Sequence, residues 1–240
     1  MTEHLLALPG GEQIPYLLER RKRRTVGMRI SPQGLVVHAP SRLSLQQLND
    51  LLLSKANWIL TKLRAQQEHA VEPFQWRDGE YLLWLGGEMV LNVRTDARSR
   101  AVAHEPGQLH VALPTPHDAA AVSRKVLLWY RKQAQSDFSR RLEILAARLG
   151  VKTPPLYLSN ARSRWGSCNS RGEIRLNWRL IQAPPHIINY VICHELAHLK
   201  EMNHSARFWA VVEKLHPDYK RAEKELKTIS ARLHRLDMHS

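Results

Sequence analysis

The chain has 240 residues, 43% of them hydrophobic, enough to bury one large core or two modest ones without disulfide staples. Its 36 Lys and Arg against 22 Asp and Glu give a formal charge of +14, which attracts polyanions without naming one. Two cysteines, Cys168 and Cys193, exclude a disulfide scaffold and read as free thiols; with no apolar leader and no stretch near the ~18 to 20 residues of a membrane span, a cytoplasmic protein with no membrane partner is expected.

The first forty residues read as β structure. Val26, Met28 and Ile30 alternate, Ser31-Pro32-Gln33-Gly34 supplies a turn, and Leu35-Val36-Val37 resumes a strand, so a hairpin is predicted. From Leu43 to Gln67, apolar residues at near-helical intervals predict one long amphipathic helix. Short strand-like runs follow between Phe74 and Leu113, and Pro114 with Pro116 suggests a boundary near residue 115. Ala119 to Leu149 carries a second long helical pattern that stops at Gly150. Leu156 to Ser159 is strand-like, and Ile174, Leu176, Trp178 and Leu180 alternate with polar residues as a strand with one buried face. Pro184-Pro185 then opens a helix on which Ile187, Val191, His194 and His198 share a side. Ser205 is a good N-cap for a further helix carrying Phe208, Val211, Val212 and Leu215. No internal repeat or low-complexity tract is evident. The expected fold class is α+β, with an N-terminal α+β subdomain over residues 1–115 and a second domain over 116–240.

The chemistry concentrates in His194-Glu195-Leu196-Ala197-His198, where two imidazoles one helical turn apart stand roughly 5 to 6 Å from each other at Cβ and reach one metal. His204, six residues on, lies where the chain leaves the helix and brings a third imidazole back. Three neutral nitrogens on Zn2+ leave one position open for water, whose pKa falls to about 7, and Glu195 is placed to take its proton as general base. The pentapeptide alone is only suggestive; the helix, the preceding strand and the third histidine strengthen it. The plainer alternatives are a pair of hydrogen-bonded core histidines or a structural zinc without chemistry.

Several segments resemble the YgjP-like metal-dependent hydrolases, relatives of the SprT-like and other zincin metallopeptidases. They are Ser163-Arg164-Trp165-Gly166-Ser167-Cys168, Ile174 to Leu180, Tyr190 to Leu199, and Asn203-His204-Ser205 with Phe208-Trp209. The likeness is strongest over about residues 155–220. It implies a zincin-like fold with a β-rich N-terminal part, zinc on His194, His198 and His204, and Glu195 as catalytic base. Metzincins of equal spacing carry a glycine midway between the second and third histidines, where this chain has Glu201, so a different turn is required.

Three functions compete. Peptide-bond hydrolysis leads, with an extended peptide or protein substrate pairing with the edge of the Ile174 to Leu180 sheet. Arg164, Arg171, Arg175 and Arg179 would instead suit a nucleotide or phosphate-anhydride hydrolase. A nucleic-acid-associated protein with a structural zinc would use the basic surface, although charge runs are usually just solvated. Trp165-Gly166 reads first as a packed turn; Arg164 facing the pocket is the alternative, and Cys168 stays outside the metal shell.

Overall fold

The computed structural model describes residues 1–9, 11–31, 34–68, 74–96 and 102–237, in two compact units, residues 1–70 and 71–240. In the first unit, β1 (Thr2–Ala7), β2 (Gln13–Arg21), β3 (Gly27–Ser31) and β4 (Gly34–Pro40) form a sheet of order β1-β2-β4-β3. The predicted hairpin is β3–β4; Pro32 and Gln33 of its turn lie outside the described residues. The single helix expected over 43–67 is two, α1 (Leu45–Ser54) and α2 (Ala56–Glu68). Ser44 and Gln47 close a reciprocal capping box at the start of α1. At Lys55 the backbone leaves helical geometry (φ −111°, ψ 10°), and Ile59 of α2 is buried with Leu48 and Leu52 of α1.

The second unit opens with β5 (Tyr81–Trp84), β6 (Gly87–Thr95), β7 (Val102–Glu105) and β8 (Gln108–Leu113), followed by α3 (Ala119–Leu149). Gly150, in the left-handed region at φ 72°, ends α3 as its sequence predicts. The division of the chain differs from the boundary expected near 115. Leu82, Met89, Leu91, Leu109, Val111 and Leu113 share one core with Val122, Val126 and Tyr130 of α3, so the prolines at 114 and 116 mark only a sheet-to-helix connection.

The two four-stranded sheets repeat one plan that the sequence did not reveal. The order β5-β6-β8-β7 matches β1-β2-β4-β3, with antiparallel outer pairs and a parallel central pair in both. With Leu35 set against Leu109, the strand registers match buried Leu6, Ile14, Tyr16, Val37 and Ala39 with buried Leu82, Met89, Leu91, Val111 and Leu113, and the N-caps Ser44 and Asp118 coincide. Three of the six pairs are identical, Leu6 with Leu82, Leu35 with Leu109 and Val37 with Val111, while at the other three only the alternation of buried positions recurs.

The rest of the chain forms the site-bearing part. β9 (Leu156–Ser159), β10 (Gly166–Cys168) and β11 (Ile174–Asn177) make a sheet of order β10-β11-β9, followed by a 3-10 turn (Trp178–Gln182), α4 (Pro185–Ala197), α5 (Ala206–Leu215) and α6 (Tyr219–Leu233). The strand expected to run to Leu180 stops at Asn177, whose side chain accepts from the Arg179 N–H at 3.1 Å and turns the chain. Trp178, Arg179 and Leu180 are then all buried, which ends the alternation. No helix among the described residues is long and apolar enough to cross a membrane.

The β5–β6 hairpin braces the start of α4. Leu85 and Gly86 donate to the carbonyls of Ile181 and Gln182, and a Cβ on Gly86 (φ 85°) would stand 2.9 Å from the Pro184 Cα. Gly86→Ala therefore combines a strained φ with a backbone clash. We expect a loss of about 2 kcal/mol in chemical denaturation; an unchanged midpoint would show that the hairpin tip does not bear on Pro184.

Candidate metal centre

α4 is buried nearly all round, with Ile187, Ile188, Val191, Ile192, Cys193, Leu196 and Ala197 at 4% exposure or less, so its position is fixed by packing. Pro185 occupies its first turn, where a missing N–H is harmless. His194 lies in its last turn and His198 is its C-cap. The chain then leaves the helix through a turn in which the Glu201 N–H bonds to the Ala197 carbonyl at 3.0 Å. Positive φ occurs at no residue of 199–205, so the turn needs no glycine where the metzincins have one. Ser205 caps α5 by accepting from the Phe208 N–H, which sets His204 directly before the new helix.

The three imidazoles meet. One ring nitrogen from each of His194, His198 and His204 lies within 4.8 Å of the others, and the Nε2 atoms of His194 and His204 are 3.1 Å apart. Two nitrogens about 2.0 to 2.1 Å from a tetrahedral zinc stand roughly 3.3 Å apart, so the arrangement fits such an ion. Nδ1 of His198 is 3.2 Å from the Glu201 carbonyl, which suits a proton on Nδ1 and a free lone pair on Nε2. Phe208 contacts all three rings at 4.6 to 4.9 Å between centroids and backs the cluster. Burial, followed by His198 and His204, holds His194 down at about 4, and burial also lowers His198. Both are therefore neutral at pH 7, as metal ligation requires.

Glu195 is 5% exposed, and burial pushes its carboxyl up to about 8 against the opposing field of Arg164. Its seat is Gly166 of β10: a Cβ there would lie 2.3 Å from Glu195 Oε1 and 2.7 Å from Cγ. The glycine is needed for close approach, not for an unusual backbone angle.

The arginines do not gather here as a group. Arg179 is buried, donating to Asn177 at 3.1 Å and Asn160 at 2.8 Å and lying over the Trp178 ring. Arg175 lies over Tyr157, and Arg171 pairs with Glu173 at 3.7 Å. Of the four, only Arg164 exerts a field on Glu195. Arg98 and Arg100 lie outside the described residues. Both cysteines are free; burial and then the Glu195 charge raise the Cys168 thiol, and burial lifts Cys193 to about 12.

Residues 24–229 match the family described as YgjP-like, metallopeptidase domain. The chain belongs to this family. A relative among curated proteins is the UTP pyrophosphatase of Escherichia coli (strain K12), 27% identical over 122 residues, spanning 46% of this chain and 69% of that protein. Two solved structures are similar in part. The metallopeptidase zymogen of Pyrococcus abyssi abylysin is 28% identical, covering 38% of this chain and 92% of that one at a TM-score of 0.36. The zymogen of Methanocaldococcus jannaschii jannalysin is 21% identical over 38% and 93%, at 0.34.

Membership of the YgjP-like family makes the protein a metal-dependent hydrolase by descent, and the histidine cluster is where such a metal fits. Of the four residues singled out from the sequence, His194, His198 and His204 converge, and Glu195 adjoins His194 in the wall of one cavity. Sequence reasoning missed Gly166 as the seat of Glu195, and missed Tyr190 and Leu226 beside the site. For Leu226 a signal existed, since Ala222, Leu226, Ile229 and Leu233 recur at steps of four, three and four.

Proposed function

We propose that the protein is a zinc-dependent peptidase in which His194, His198 and His204 hold the metal and Glu195 is the general base. The observation that carries the reading is the convergence of three imidazoles, those of His194 and His198 held neutral by burial, next to the buried carboxyl group of Glu195. Zinc bound there supplies a Lewis acid for the scissile carbonyl and lowers the pKa of water towards neutrality. Glu195 takes a proton from the attacking water and delivers it to the leaving nitrogen as the C–O bond forms and the C–N bond breaks. Burial raises its proton affinity, which favours proton uptake, and a bound dication would keep the group ionised until then.

The edge of the sheet that would take the substrate is β10. β11 lies between β10 and β9 and has no free edge, whereas β10 is an outer strand and carries Gly166 against Glu195. An extended peptide adding to β10 would pass the carboxylate directly.

A second reading, phosphate-anhydride hydrolysis, is favoured by the Escherichia coli relative named UTP pyrophosphatase and by the field of Arg164 on Glu195. Against it stands the engagement of Arg171, Arg175 and Arg179 elsewhere.

The deciding experiment is metal analysis of wild type, His198→Ala and Glu195→Gln, with hydrolysis of a peptide library and of nucleoside triphosphates followed in parallel. We expect about one zinc per chain in wild type, lost in His198→Ala and retained without peptide cleavage in Glu195→Gln. Nucleotide hydrolysis without peptide cleavage would select the second reading, and a wild-type protein that takes up no metal would remove both.

A further inference from the structure

A cavity of about 200 Å³ adjoins His194 and Glu195 and is otherwise walled by Trp165, Gly166, Tyr190, Val191 and Leu226. Apart from those two site residues, its wall carries no charged side chain. Three separate parts of the chain build it: the segment entering β10 gives Trp165 and Gly166, α4 gives Tyr190 and Val191, and α6 gives Leu226. The last three are 4 to 6% exposed and belong to the main core, so the wall is rigid. Trp165 is half-buried, with its indole 4.9 Å from the ring of His234 at the end of α6.

From this geometry we propose that the cavity is the specificity pocket of the peptidase, receiving an apolar side chain of Leu, Met or Phe size from a residue flanking the scissile bond. The proposal deepens the peptidase reading and rests on it. A largely apolar pocket with a few polar groups at one end selects by burying an apolar body while the polar groups orient the reacting bond. An Asp or Glu side chain would be desolvated among apolar groups and face the like charge of Glu195, with no Lys or Arg in the wall to pair with it. A Lys would pair with Glu195 and occupy the base. The substrate class that follows is apolar chain segments, of the kind that unfolded proteins expose.

The test uses the full-length, zinc-loaded protein and two readouts. The first is kcat/KM across peptides varied one residue at a time on either side of the bond. The second is calorimetric binding of amino-acid hydroxamates with Gly, Asp, Leu, Phe or Trp side chains. Leu and Phe should exceed Gly and Asp by about tenfold to a hundredfold in both. Trp165→Ala, which opens a half-buried part of the wall, should shift the preference several-fold towards Trp, with Tm measured as a control for folding.

Cleavage and hydroxamate binding with no preference among side chains would overturn the pocket and leave the peptidase standing. A folded Trp165→Ala protein with the wild-type profile would do the same. Neither cleavage nor hydroxamate binding by zinc-bearing protein would overturn the peptidase reading and the pocket with it.

Discussion

Gly166→Ala is expected to keep its zinc and lose hydrolysis by about 10² to 10⁴-fold, the range that a positioned general base contributes. A Cβ at this position meets Oε1, Cδ and Cγ of Glu195 at 2.3 to 2.7 Å, distances that no real Cβ tolerates. One partner must move. The backbone of β10 is held by pairing with β11, where Gly166 faces Leu176, and by the Asn177 N–H bonding to the Trp165 carbonyl at 2.8 Å. α4 is locked in the core. The softest degree of freedom is therefore the Glu195 side chain, and rotating it away removes the base without touching the three histidines. Zinc content with kcat/KM for wild type, Gly166→Ala and Glu195→Gln checks this. If Gly166→Ala retains near-wild-type activity, Glu195 works from a different rotamer and the contact with Gly166 is incidental. If zinc is lost as well, α4 has yielded instead of the side chain.

That glycine also shows where sequence reading stops. His194 and His198 are legible because a helix fixes the distance between positions four apart whatever surrounds it. His204 is legible because Ser205 announces a helix start through its own local hydrogen bond to Phe208. Gly166 has ordinary backbone angles, and its requirement arises from a side chain 29 positions later, so no local pattern marks it. The boundary misleads for the same reason. Pro114 and Pro116 break the chain locally, while the contacts that bind β8 to α3 are tertiary. Alternation through Trp178 and Leu180 imitates a strand, and only the Asn177 side chain, competing for the Arg179 N–H, discloses the 3-10 turn. Charge is the least legible property. Arg164, Arg171, Arg175 and Arg179 look alike in sequence, yet burial, an ion pair or a stacked ring occupies all but Arg164.

The second large effect is on the stability of the metal-free protein, where Glu195→Gln should stabilise at pH 8 by on the order of 2 to 4 kcal/mol relative to wild type. Burial raises the Glu195 carboxyl from 4.5 to about 8. A raised folded pKa means that the folded state holds its proton while the unfolded chain releases it. The resulting stability is complete below pH 4.5 and is lost progressively up to about pH 8. Glutamine has no such loss, so the two proteins should nearly coincide at pH 5 and diverge towards pH 8. His194, depressed to about 4, acts at the other end: its contribution is present above pH 6.5 and lost as the pH falls to about 4. It is common to both proteins and cancels in the comparison. Urea midpoints of chelator-treated protein at several pH values between 5 and 8 measure the divergence. A difference that stays constant over that range would mean that the carboxylate is solvated, and the account of its raised proton affinity would fall. Zinc provides the complementary arm, since a dication beside Glu195 favours the carboxylate and should shrink the advantage of glutamine at pH 8.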